Sequence, residues 1–153
     1  MMRKIVFVIL LSALFTGCAS VVPMESKEGS VKAKHFAPPQ AGNSGLYIYR
    51  DSFIGKAIKR DIWVNGKCVG KSAPDVFFYT EVAGGKEHSI ATESSFSQNA
   101  MMLFVEAGKN YFVRQYIILG PSVGIAGLES IPEEQGKAAV AKLDLAIPGT
   151  CSQ

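Results

Sequence analysis

Residues 62–70, Ile-Trp-Val-Asn-Gly-Lys-Cys-Val-Gly, decide the fold class. Two short runs rich in β-branched and aromatic residues flank Asn65-Gly66. Asn-Gly is the strongest short-range hairpin signal, because a type I′ turn requires positive φ at both central positions. In such a two-residue hairpin Cys68 stands opposite Trp63 on the same face. The cysteine has four readings: a nucleophile, a metal ligand, half of a disulfide, or a small buried hydrophobe. The compartment and the available partners choose among them.

The texture around the hairpin is uniform from Gly45 onward. Residues 46–50 (LYIYR), 75–82 (DVFFYTEV), 88–94 (HSIATES), 101–107 (MMLFVEA) and 111–119 (YFVRQYIIL) are β-rich runs separated by Gly-containing turns. About seven such segments with short connections predict a mainly β fold, an antiparallel β-sandwich or open barrel. The run 111–119 is nearly apolar throughout, which predicts a central strand covered on both faces. Met101 and Met102 read as gap fillers or as a sticky edge. Residues 130–143 (SIPEEQGKAAVAKL) offer Ser130 as an N-cap, Glu133 three residues later and Pro132 in the first turn, which predicts one short C-terminal helix over 132–141. Gly136 opposes that helix by roughly 1 kcal/mol. Residues 143–147 (LDLAI) close as a last strand or run on as an extended tail.

The N-terminus places the domain. Arg3 and Lys4 precede an apolar run over residues 5–15, the length of a signal-peptide core and too short to span a bilayer as a helix. Phe15-Thr16-Gly17-Cys18 then resembles the lipobox of bacterial lipoproteins, with Phe15 where Leu is commonest. The resemblance implies removal of residues 1–17 and acylation of Cys18, followed by membrane attachment through lipid. Two or more acyl chains anchor stably, at roughly 0.8 kcal/mol per buried methylene. Ala19 after the cysteine, in place of Asp, resembles the outer-membrane sorting pattern. Loss of Arg3 and Lys4 lowers the formal net charge from +3 to +1. No basic field for nucleic acid remains. Residues 18–44 hold Pro23, Pro38, Pro39 and Gly42 and no sustained period, which predicts a lipidated N-terminus followed by a flexible tether. About twenty-five flexible residues would span roughly 25–30 Å. Residues 45–153 form the β-sandwich domain.

The runs taken in order resemble the bacterial lipoprotein domain of unknown function DUF2846. The matching residues are 45–50 (GLYIYR), 62–70 (IWVNGKCVG), 77–90 (FFYTEVAGGKEHSI), 105–114 (VEAGKNYFVR) and 127–140 (GLESIPEEQGKAAV). Val64-Asn65-Gly66, Val69-Gly70 and residues 85–90 are also similar to the PEGA-type β-sandwich module. Both resemblances imply an architecture and no assigned activity.

Motifs that carry chemistry fail on context. Gly120-Pro121-Ser122-Val123-Gly124 is a literal G-x-S-x-G, yet His35 and His88 both precede Ser122 and no base follows it. It reads as a turn whose role, if it has one, is binding. Cys68, Cys151, His35 and His88 have no metal-ligand spacing, so neither a metal nor another cofactor is expected. Glu133 and Glu134 point about 100° apart on a helix and read as first-turn charges. Once lipidation consumes Cys18, an even pair remains in an oxidising compartment: Cys68 and Cys151 form a disulfide or stay as two independent thiols. An exposed aromatic strip with Arg50, Trp63, Arg114 and Ser122 is the candidate binding surface, for an envelope protein or a glycan. The expected protein is an outer-membrane lipoprotein on the periplasmic face, a non-enzymatic binding or envelope-organising module. The alternative is a periplasmic enzyme, or an enzyme inhibitor, acting on cell-wall material. The two differ in whether Ser122, His88 and a carboxylate converge.

Overall fold

A computed structural model describes residues 22–94, 98–120 and 124–152. Cys18 and Ser122 lie outside the described residues. Among those described, the chain forms nine strands in two sheets and two helices. Helix α1 (Lys27–Ala33) precedes β1 (Asn43–Arg50), β2 (Arg60–Val64), β3 (Lys67–Ser72), β4 (Val76–Ala83), β5 (Lys86–Glu93), β6 (Gln98–Val105), β7 (Asn110–Ile118) and β8 (Ile125–Ile131). Helix α2 (Glu133–Val140) and the two-residue strand β9 (Asp144–Leu145) follow. One sheet runs β8-β7-β1-β4-β9 and the other β3-β2-β5-β6.

The Asn65-Gly66 turn forms as the sequence predicts, with φ of 51° and 75°. It sets Trp63 opposite Cys68 after a bulge next to Ile62. The strand total exceeds the expected seven, and the pairing is mixed. Strand β1 pairs antiparallel with β4 but parallel with β7, and β9 lies parallel to β4. Hairpin signals report only sequence neighbours. These parallel pairs join segments far apart in the chain, which no local turn residue encodes.

The two sheets share one buried cluster. Leu46, Ile48, Phe78 and Val113 come from the first sheet, and Ile62, Val64, Val69 and Ile90 from the second. A second cluster covers the opposite face of the first sheet, where Tyr47, Tyr49, Phe77 and Phe112 meet Val140 and Leu143. The Tyr47 and Phe112 rings stack at 4.9 Å, and Phe36 packs edge-on against both. Strand β1 is therefore the strand buried along nearly its whole length, while β7 is half-exposed at several positions. In edge strand β6, Met101 and Leu103 pack on the core and Met102 and Phe104 face outward, so the methionines divide between the two expected roles.

A buried polar relay also crosses the gap between the sheets. Ser72 donates to Gln115 Oε1, Gln115 Nε2 donates to Thr92 Oγ1 at 2.6 Å, and Thr92 donates to the Asp61 carbonyl at 3.1 Å. Each bond satisfies a group that would otherwise cost about 1–3 kcal/mol to bury unpaired.

The N-terminal segment differs from the expected tether. Val22 is buried in the core between the sheets, Ser26 caps α1 by accepting from the Gly29 N–H at 3.0 Å, and Ser30 is buried. Helix α1 escaped the sequence reading because it is only seven residues long and its stability comes from docking, not from propensity. Helix α2 starts at Glu133 with Pro132 as its N-cap residue. Ser130, expected to cap it, is committed to the β8 ladder opposite Val113.

Gly136 sits where α2 crosses β7, and a Cβ there would overlap the Phe112 side chain. Gly136→Ala gains roughly 1 kcal/mol of helix propensity but meets overpacking worth about 1–3 kcal/mol. We expect a lower urea midpoint for Gly136→Ala, and a higher midpoint would show that α2 does not lie this close to Phe112.

Candidate functional site

Strand β9 covers β4 only at Val76 and Phe77. The tail beyond it turns away: Ala146 N–H still donates to the Phe77 carbonyl at 2.8 Å, but Ile147 N–H donates to Pro23 and Gly149 N–H to the Val69 carbonyl. This leaves residues 79–83 of β4 without a strand partner on the side away from β1 among the described residues. A slot of about 440 Å³ opens there, between the β4 edge and the β2–β3 hairpin. Its walls include Tyr79, Glu81, Lys67, Lys86, His88 and Pro148.

Asp75 and Phe77 aim their carbonyls at β9, because Asp144 and Ala146 donate to them. Backbone groups alternate along a strand, so Tyr79 and Glu81 aim theirs into the slot. The slot therefore presents backbone hydrogen-bonding groups as well as side chains.

The side chains at its rim are mutually satisfied. Buried His88 has both ring nitrogens engaged, with Asn65 Nδ2 at 2.7 Å from Nδ1 and the Ala83 carbonyl at 2.7 Å from Nε2. Asn65 Oδ1 in turn accepts from the Ser89 N–H at 3.1 Å. His88 thus ties the hairpin turn to the end of β4. Glu81 accepts from Asn43 Nδ2 at 3.0 Å, from the Tyr79 hydroxyl at 3.0 Å and from the Gln40 N–H. The Asn43 bond, with those from Tyr79 and Gln40, holds the Glu81 carboxyl below the usual carboxylate range against its own desolvation. Burial first, then the Glu81 charge, pushes the Tyr47 phenol up to about 12, and Tyr79 is raised by burial and its bond to Glu81. These groups fix geometry. They do not form a nucleophile with a poised base.

Among the described members of the expected binding surface, Arg50 and Arg114 do not share a face. Arg50 is fully buried, donating to the carbonyls of Ile58 at 2.6 Å, Gly55 at 2.7 Å and Ile54 at 2.9 Å. Burial, followed by the nearby Arg60 charge, lowers its pKa. It pins the loop between β1 and β2 and is not a surface residue. Arg114 belongs to the other face and pairs with Asp51 at 2.7 Å and Glu129 at 3.0 Å, the Asp51 bond being the main reason its pKa rises. Trp63 is half-buried in the second sheet, opposite Cys68. Adjacent positions in a strand face opposite ways, and that alternation separates Arg50 from the Arg114 side. Among the described residues no three His, Cys, Asp or Glu side chains converge as a metal site.

Sequence reasoning missed the slot. Its one legible sign was Pro148, which cannot donate to a ladder and stops the tail from continuing along β4.

The structure joins Cys68 to Cys151 in a disulfide, with the α-carbons 5.8 Å apart and a sequence separation of 83. The bridge holds the tail across the edges of both sheets, and Ser152 N–H donates to the buried Asp61 carboxylate at 2.5 Å. For a loop of this length the chain-entropy model gives about 4–5 kcal/mol, an upper value. Thiol titration of unfolded protein prepared without reductant should find neither cysteine free. Reduction should then lower the urea midpoint, and two free thiols, or no shift on reduction, would exclude the bridge.

Residues 40–128 match the model of DUF2846, described as a protein of unknown function. A Haemophilus influenzae protein described as uncharacterized is 53% identical over 135 residues, 88% of this chain and 80% of its own length. No solved structure matches the chain significantly.

Proposed function

This chain belongs to the DUF2846 family of proteins of unknown function, and from that premise we propose that it is an outer-membrane lipoprotein facing the periplasm. In this reading Cys18 carries the lipid, and the two sheets around one core form a PEGA-like β-sandwich that works as a non-enzymatic binding module. The lipobox-like residues 15–18 and a cysteine pair at bonding distance both support an oxidising, membrane-bound address.

The observation that carries the binding role is the open edge of β4. An extended polypeptide can add to such an edge as a further strand, drawing affinity from backbone hydrogen bonds and selectivity from side-chain pockets. Lys67 and Lys86 at the rim favour a segment with acidic residues. The ligand is accordingly an extended segment of an envelope protein. His88 and the Asn43–Glu81–Tyr79 cluster hold the slot open without taking part in chemistry.

Two measurements test the two halves of this reading. Cells expressing the protein should incorporate a palmitate analogue into it, and Cys18→Ser should abolish the label. Persistent labelling of Cys18→Ser would sink the lipoprotein assignment. For the slot, extended peptides selected for binding to the purified domain should slow hydrogen exchange at the Glu81 amide. Protection confined to other strands, or binding of glycan but never peptide, would refute strand addition.

A further inference from the structure

Because residues 22–33 belong to the folded body, the distance between the lipid and the domain is short. Val22 is 7% exposed and packs with Leu46, Val69 and Phe78 in the core between the sheets. Pro23 accepts from the Ile147 N–H at 2.9 Å, Met24 bridges to Ala146, and Glu25 N–H donates to the Leu145 carbonyl at 2.8 Å. Ser30 Oγ accepts from the Leu145 N–H at 3.1 Å, and the Tyr47 hydroxyl donates to the Ala33 carbonyl at 3.0 Å. No part of this stretch can pay out as tether without breaking those bonds and exposing Val22.

Four chain steps separate Cys18 from Val22. Fully extended, they reach roughly 14 Å. The chain leaves the fold beside β9 and the residues next to β3, since Gly149 lies between Pro23 and Gly70. The first sheet spans four strand spacings from β9 to β8, roughly 19 Å. A ~14 Å leash is shorter than this ~19 Å width, so it cannot hold the domain inverted, with β8 against the lipid and β9 farthest from it.

We propose that the domain rides directly on a phospholipid surface, with the β9 and β3 side against the headgroups and the β8 and β6 side turned away. The proposal rests on acylation of Cys18 and adds an orientation to it. The apposed side offers exposed Met24 and Ile147 to the interface, with Lys27 and Lys67 available for headgroup phosphates and Glu25, Glu28 and Asp144 as opposing charges. Exposed Val31 on α1 joins the apolar pair beside Met24, and the other exposed apolar residues lie elsewhere: Met102 and Phe104 on β6, Phe53 and Ile54 between β1 and β2, and Ile118, Leu119 and Ile125 at the β7–β8 end. By composition these would be chosen as the membrane contact. The short covalent connection directs them to the aqueous side instead, where a periplasmic partner can reach them. The slot at the β4 edge shares Pro148 with the apposed side, so its ligand binds close to the bilayer.

The test uses the acylated protein in vesicles of brominated phosphatidylethanolamine and phosphatidylglycerol. Tryptophan is added at Met24→Trp or at Phe104→Trp, and the Trp63 signal of the unsubstituted protein is subtracted. Lipid quenching at position 24 should exceed that at position 104, which lies one sheet width (~19 Å) farther from the attachment. Equal quenching, or the reverse order, overturns the orientation. Insertion of about twelve Gly and Ser residues between residues 21 and 22 adds roughly 20 Å of flexible chain. It should reduce quenching at position 24 to the level at 104 while the protein still floats with the vesicles. Unchanged quenching after insertion also overturns the proposal. Flotation separates the two failures. A protein that does not float refutes the lipid anchor itself, and one that floats without preferential quenching at position 24 refutes only the orientation.

Discussion

Burial of β1 on both faces is the constraint that the remaining structure serves. From Ser44 to Arg50 every residue is buried, so neither face of the strand can be left to water. Leu46 and Ile48 need the second sheet above them, and Tyr47 and Tyr49 need a cover below. The second sheet lies on one face only and cannot cover the other. The lower cover comes from α1, α2 and the segment around Phe36, which explains why a seven-residue helix outside the sheets is ordered at all. Arg50 ends the strand with a buried guanidinium whose donors go to three loop carbonyls. A buried cation held only by carbonyl dipoles is expensive to expose and expensive to strip, so it fixes the loop to the strand end.

The same arrangement creates the slot. The chain ends its pass along β4 after two residues of pairing, because Pro148 and the disulfide pull the tail over to β3. The tail closes the gap between the sheets on that side but leaves residues 79–83 of β4 without a strand partner on the side away from β1 among the described residues. Open strand edges are usually blunted by charge, bulges or covering loops. Here the edge lies recessed behind the hairpin, with His88 tying the hairpin turn to it. Recession shields it from indiscriminate pairing while leaving it open to a single extended segment.

Local chemistry made some elements legible and left others hidden. The Asn65-Gly66 turn and the Trp63–Cys68 register follow from two residues and the period of a strand. Helix α2 was legible within a residue at each end, although its cap was not, because Ser130 had a competing use in β8. The cysteine pairing was readable as an alternative, since a lipobox reading of residues 15–18 sets Cys18 aside and leaves two. Arg50 was misread as a surface residue: Arg50 and Arg114 look equivalent as isolated basic residues near strand ends. Their strand parity sends one into the loop-lined interior and the other into an ion-pair cluster. No sequence period marks α1, and residues 22–33 read as tether because their polar side chains suit water as well as they suit a cap.

By itself, then, the sequence determined the strand-rich character, the hairpin and the short C-terminal helix, all of which depend on contacts within a few residues. The tertiary structure alone decided the parallel pairs, the recessed β4 edge and the attachment of the N-terminal segment. The physical reason is that each of these is a competition between distant segments for the same backbone groups and the same buried volume. A local pattern states what a segment can form. Only the folded chain states which segment arrives to pair with it, and which edge is left open.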